Sequence, residues 1–236
     1  MPEPPLLEAR DLCRSFRTGK SEVRAIHDVS LVIQEGSLTL LTGPSGSGKT
    51  TLLSLLGALD RPNSGQILFR GSALSGFSDI ALARLRRRMG FVFQNFSLIA
   101  GLPIWENITY PLVPRGMPRR ERWALAEQLL SRMGMQDKLN RLPEELSGGE
   151  KQRVALARAL VGQPEIILAD EPISNLDHAN GQAILSMLEA LNKEGKTVIL
   201  SVHDPTMVSR PANVHVLENG QLRAVAPPGN QIVNDS

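Results

Sequence analysis

Eight consecutive residues, Gly43-Pro44-Ser45-Gly46-Ser47-Gly48-Lys49-Thr50, constrain this chain more than any other feature. They follow a short apolar run, Leu38 to Thr42, and open a helical pattern from Lys49 to Leu59. Strand, glycine-rich turn and helix is the arrangement in which backbone N–H groups turn together toward a phosphate. The helix N-terminus adds a favourable field, Lys49 a charge for the β and γ oxygens, and Thr50 an oxygen for Mg²⁺. A plain Gly/Ser turn before a helix has no use for lysine followed by threonine at those places. The segment reads as the phosphate cradle of a nucleotide site.

The rest of the chain supplies the matching architecture. Gly90 to Phe93, Ile166 to Ala169 and Thr197 to Val202 are further short apolar runs that alternate with helical patterns. That alternation predicts an α/β domain with helices packed on a mixed or parallel sheet, and ligands there collect beyond the carboxyl ends of strands. Asp170-Glu171 follows one run and His203 another. Beside a phosphate cradle, Asp170 is expected to hold Mg²⁺ through water and Glu171 to orient or deprotonate the attacking water. Between Asn95 and Leu146, Pro103, Pro111, Pro114 and Pro118 punctuate the pattern and a helix is expected from Arg119 to Met133. This reads as a helical subdomain inserted into the sheet domain. Asn213 to Val225 reads as a hairpin around Asn219-Gly220, followed by a loose Pro227-Pro228-Gly229 end.

Composition narrows the function classes. The chain has 236 residues, 42% of them hydrophobic and 21% charged, with a formal net charge of +2. Those values suit a folded globular domain and are too mildly basic for nucleic acid as the main partner. The single cysteine, Cys13, allows neither an internal disulfide nor a thiol cluster for a metal, which fits a reducing cytoplasm. The N-terminus lacks the basic and apolar blocks of a secretory signal, and no apolar run approaches the roughly 20 residues that cross a bilayer. A membrane role is therefore expected to be peripheral, with a partner supplying the spans.

Leu146-Ser147-Gly148-Gly149-Glu150-Lys151-Gln152-Arg153 resembles the signature of ABC ATPases. Further pieces stand in that family's order from about Leu6 to Val225. Gln94 is similar to the Q-loop glutamine that senses Mg²⁺ and the attacking water, Ser174-Asn175-Leu176-Asp177 to the D-loop, and His203 to the switch histidine at the γ-phosphate. Phe16 stands where the family places an aromatic that stacks on adenine, the alternative being a core phenylalanine at the end of the first strand. The resemblance implies a P-loop NTPase sheet core with an antiparallel β subdomain and a helical subdomain at about 95–160. It makes residues 6–225 one ABC ATPase domain and leaves 226–236 as a tail. It also implies ATP and Mg²⁺ as cofactors, with Thr51 joining the phosphate cradle. Ser147, Gly148 and Gly149 would serve the nucleotide of a second copy, in a head-to-tail ATP sandwich.

The phosphate loop, Gly57 to Pro62, Gly90 to Gln94 and Ile167 to Pro172 resemble the LolD/MacB-type branch. That branch implies export or extrusion of lipoprotein, lipid or drug through a MacB/LolC/FtsX-like integral permease, at the cytoplasmic face of the membrane. An FtsE-like signalling ATPase that moves no substrate is the alternative. Soluble relatives acting on DNA or ribosomes carry a long coiled coil or a second cassette, and neither is visible here. Three positions depart from the branch: Ile173-Ser174 replaces Thr-Gly after Glu-Pro, and Glu150 replaces the signature glutamine. Ile173 removes a hydroxyl near the catalytic carboxylate, and Glu150 adds a charge near the opposing phosphate. Phe96, Leu98, Leu102 and Trp105 are expected either to line a groove for the permease's coupling helix or to pack inside the helical subdomain. Arg84, Arg86, Arg87 and Arg88 read as a solvated helical face, the alternative being contact with anionic lipid or a permease loop, and Leu129, Leu130, Met133 and Met135 read as core, the alternative being a docking surface.

Overall fold

The computed structural model describes residues 4–19, 21–205, 208 and 213–224. The expected tail at 226–236 and Val225 at the end of the expected hairpin lie outside them. Two sheets organise these residues. The first is antiparallel, in the order β2 (Ser21–Ile33), β1 (Leu7–Thr18), β4 (Ser64–Phe69), β5 (Ser72–Ala73). The second runs β10 (Gln221–Ala224), β9 (Asn213–Glu218), β3 (Leu38–Thr42), β8 (Thr197–Ser201), β7 (Ile166–Ala169), β6 (Met89–Val92). All its neighbours pair in parallel except β9 and β10, which form the expected hairpin.

The parallel strands are buried on both faces, which is why they read as continuous apolar runs. Their side chains alternate between two cores. Leu40, Ile167, Ala169, Val198 and Leu200 face a core shared with the helices of residues 104–160. Leu41, Ile166, Leu168 and Ile199 face a second core built from α1 (Lys49–Leu56) and the antiparallel sheet. Between β6 and β7 lie α3 (Ile104–Thr109), α4 (Arg119–Arg132) and α5 (Gly148–Leu160), the helices of the insertion. Met133, Met135 and Leu130 are buried there, and Leu129 packs against them.

Several boundaries differ from the sequence reading for local reasons. Helix α1 stops at Leu56 rather than Leu59 because Gly57 caps it and Ala58 turns left-handed, φ 53°. A Cβ on Gly57 would come within 2.4 Å of the Phe91 ring, so the chain needs glycine there. Trp105 is 2% exposed and packs at a tilt against Trp123, 5.3 Å between ring centroids, so it belongs to the interior and to no docking surface. The arginine run is not uniformly solvated either. On α2 (Asp79–Arg86), Arg86 donates to the Ala58 carbonyl, and Arg88 pairs with Glu165 while lying over the Phe69 ring.

Candidate functional site

The loop after β3 owes its shape to three glycines with positive φ: Gly43 at 140°, Gly46 at 76° and Gly48 at 106°. A Cβ on Gly43 would lie 2.1 Å from the Leu217 carbonyl oxygen, and one on Gly48 would lie 2.3 Å from that of Ala25. The loop is thus wedged between β9 and β2. Gly48 is the N-cap of α1 and has no side chain to satisfy the first turn, which leaves that helix start open to an anion. Lys49 is buried, and its Nζ donates to the carbonyls of Gly43 at 2.9 Å and Pro44 at 3.1 Å. The Ser47 hydroxyl is buried with no partner among the described residues. Thr50 is exposed and Thr51 half-buried on the same turn.

Strand β7 brings the carboxylates to this loop. Asp170 is buried, and its Oδ1 accepts from the Ser201 hydroxyl at 2.8 Å. The same hydroxyl accepts from the backbone N–H of Glu171 at 2.7 Å, so one side chain at the end of β8 fixes both acidic residues. Glu171 has a left-handed backbone, φ 43°, and its Oε1 stands 3.4 Å from Lys49 Nζ and 3.0 Å from His203 Nε2. His203 follows β8, and its carbonyl accepts from the Thr42 hydroxyl at 3.1 Å. Residues 49, 171 and 203 therefore converge at the carboxyl ends of β3, β7 and β8.

Gln94 is exposed just past β6, and the Asn175 side-chain amide donates to its carbonyl at 3.1 Å. Phe16 is 40% exposed, opposite Val23 on β2 and with the Arg14 guanidinium 4.7 Å from its ring centroid. It is a surface ring and not a core phenylalanine.

Ser147 caps α5 by accepting from the Glu150 N–H, and the Glu150 carboxylate accepts the Ser147 N–H in return. That backbone bond, with Lys138 at 3.5 Å, holds Glu150 below the usual carboxylate range despite slight burial. Glu150 completes a reciprocal cap that a glutamine would also form, and that cap directs the added charge back on its own helix. Gly148 faces Leu176 and Asn175, and Gly149 faces Asn180 near the start of α6 (His178–Lys193). The signature residues border the segment 174–177 rather than the phosphate loop. Ser174 donates its hydroxyl to the Glu171 carbonyl at 3.0 Å, and Ile173 packs against the helical core.

The donor set suits a nucleoside triphosphate with a divalent ion. Open amides, a buried lysine and an orphaned buried hydroxyl converge on one loop, with carboxylates opposite. Among the described residues there is no cluster of three or more His, Cys, Asp or Glu groups that could hold a metal unaided. This set would suit a divalent ion shared between one or two protein oxygens, substrate phosphates and water.

Residues 26–174 match the family described as ABC transporter. The chain belongs to that family. A macrolide export ATP-binding/permease protein MacB from Rhodospirillum rubrum is 46% identical over 220 residues, 93% of this chain and 34% of the relative. An ABC transporter ATP-binding protein from Thermotoga maritima is 40% identical and covered over 96% of its length, against 95% of this chain. The cassette spans about a third of the length of the MacB relatives it matches. Its fold matches the dimeric post-hydrolysis structure of the ATP-binding cassette MJ0796 bound to ADP and Pi, with a TM-score of 0.86 and 35% identity. That match covers 94% of this cassette and 98% of the other chain. No helix of the described residues is long and apolar enough to cross a membrane.

Ser201, Arg158 and the bond from Asn175 to the Gln94 carbonyl escaped the sequence reading. Ser201 ends an apolar run two residues before His203, the one local sign that it lies near the site. The other two take their places from tertiary contacts alone.

Proposed function

We propose that this cassette binds and hydrolyses ATP and, as one of two identical copies, powers an integral membrane permease of the export type. The observation that carries the reading is the Glu171 carboxylate held between Lys49 and His203. Gly43 to Thr51 would bind the phosphates through backbone amides and Lys49, with Phe16 offering a face to the base. Thr50, Asp170 and Gln94 would hold Mg²⁺, which would screen the charge that gathers on the β and γ oxygens. Glu171 orients the attacking water and accepts its proton at the carboxylate, while His203 contacts the γ-phosphate and keeps that carboxylate in place. Ser147, Gly148 and Gly149 would present an open helix start to the nucleotide of the second copy, because their own neighbours are Asn175, Leu176 and Asn180.

The permease reading rests on a groove of about 430 Å³. It is lined by Leu59, Phe91, Phe93, Pro111 and Pro114 and rimmed by Arg86, Arg87 and Arg115. Phe96 and Leu98 line a separate opening of about 190 Å³. The larger groove replaces the surface expected around Trp105. The export direction is carried by the MacB relatives alone.

Measuring binding and turnover separately tests the catalytic assignment. Glu171→Gln should bind ATP like the parent and lose most hydrolysis, because the amide preserves shape and removes the proton acceptor. Lys49→Ala should lose nucleotide affinity instead. Near-parental turnover by Glu171→Gln would sink the assignment.

A further inference from the structure

Arg158 lies in the last turn of α5, the helix that opens with Gly148, and reaches across to the loop after β6. One guanidinium nitrogen donates to the Phe96 carbonyl at 2.7 Å, and the other terminal nitrogen donates to the Ser97 carbonyl. Those two carbonyls belong to successive left-handed residues, φ 57° at Phe96 and 50° at Ser97. Non-glycine residues keep that conformation only where their surroundings over-determine it. A planar fork supplies two parallel donors, and lysine would supply the charge without the geometry.

Fold stability is a poor explanation for this arginine. It is half-buried, desolvation pulls its pKa down, and among the described residues no ion pair offsets its charge. Arg86, Arg87 and Arg115 share its groove, so its surroundings are cationic. A half-buried cation facing only carbonyls is partly desolvated with no counter-charge, which suits a residue retained for what it holds.

The loop is fixed at two further points. Asn175 holds the Gln94 carbonyl, and the buried Asn107 of α3 binds the N–H and carbonyl of Ile99 and the carbonyl of Leu102. Asn175 precedes α6 and Asn107 lies near the loop's far end, so among the described residues Arg158 makes the hydrogen-bonded tie between the Gln94 loop and α5, beside the Phe96 ring that lies close to Gly148. We infer that Arg158 is a positioning residue for Gln94, joining its loop to the C-terminal end of the helix whose N-terminus carries Ser147. The 13 residues of α5 form a stiff rod, so a shift felt at Ser147 reaches Gln94 through this fork. This rests on the ATPase reading.

The test compares steady-state ATP hydrolysis by the full chain for wild type, Arg158→Lys, Arg158→Ala, Gln94→Ala and the double variants, with hydrogen exchange of residues 95–98. Arg158→Lys and Arg158→Ala should leave KM within about twofold of wild type. Their kcat should fall roughly 10- to 100-fold, the scale of a catalytic group displaced by about 1 Å. Exchange should quicken at 95–98, and neither Arg158 change should lower kcat further in the Gln94→Ala background. Independent, multiplying losses from the two sites would overturn the inference, as would faster exchange with unchanged kcat. Should Arg158→Ala fail to fold, Arg158→Lys carries the test because it keeps the stem and the charge. Absence of ATP hydrolysis by the wild-type chain would overturn the ATPase reading instead, and the exchange measurement would still report whether the fork holds the loop.

Discussion

A methyl group has very different consequences at two glycines of the phosphate loop. At Gly46, φ is 76° and nothing lies within 4 Å of the added carbon, so Gly46→Ala meets only the left-handed backbone penalty of about 1–2 kcal/mol. At Gly43 the carbon would sit 2.1 Å from the Leu217 carbonyl oxygen, and either β9 or the loop must move. Thermal unfolding without nucleotide should show Gly46→Ala melting about 2–8 °C below the parent. Gly43→Ala should lose on the order of 3 kcal/mol or more, a Tm drop of about 6 °C at the least and beyond that of Gly46→Ala, with ATP binding. Equal shifts for the two variants would mean that the wedge against β9 is absent.

Between elements, Glu165 ties the two sheets together. It lies just before β7 and accepts from Arg88 ahead of β6 and from Arg70 in the turn between β4 and β5. Arg70 also reaches Glu35. The Arg88 bond is the main cause that holds the Glu165 carboxyl below its usual range, with Arg70 adding to it and burial opposing both. A depressed folded-state pKa means stability that is present above the ordinary carboxylate pKa and is lost as pH falls through the lowered value. Glu165→Gln should therefore unfold more easily than the parent at pH 7, by about 1 kcal/mol because the cluster is partly solvated. The gap should close well below the carboxylate range, where the parent's own carboxyl is neutral. Urea unfolding of both proteins at the two pH values measures this, and a gap that persists in acid would assign the effect to packing.

Over the whole molecule, the parallel sheet separates two cores, and the helices of residues 104–160 share only one of them. The 430 Å³ groove is lined by residues of both sides of that division, Phe91 and Leu59 from the sheet domain and Pro111 and Pro114 from the insertion. A partner seated there would sense any relative movement of the two. Leu59 is 45% exposed at its edge, so a charge there perturbs the contact more than the fold. Leu59→Asp should weaken co-purification with the permease about tenfold or more and leave nucleotide binding by the cassette unchanged. Undiminished assembly and transport by that variant would place the docking surface elsewhere.

The phosphate loop, the acidic pair, the signature and the alternating α/β plan were all legible in the chain, because each depends on local chemistry. Glycines at 43, 46 and 48 permit a backbone that other residues resist, Ser147 and Glu150 cap their own helix, and short apolar runs announce strands buried on both faces. The end of α1 was missed at a local turn, where Gly57 caps the helix and Ala58 goes left-handed. What lies across from a residue is not written beside it. Trp105 reads either as groove lining or as interior packing until Trp123 and α4 cover it. Ser201 is one more strand-end serine until Asp170 and Glu171 meet it from β7. Lys49, Glu171 and His203, far apart in the chain, become one site only because parallel strands end together at the same edge of the sheet. Sequence by itself determined the chemistry on offer, through local sterics and charge. Tertiary structure alone decided which groups share a site and which are buried, because burial and proximity are properties of packed elements.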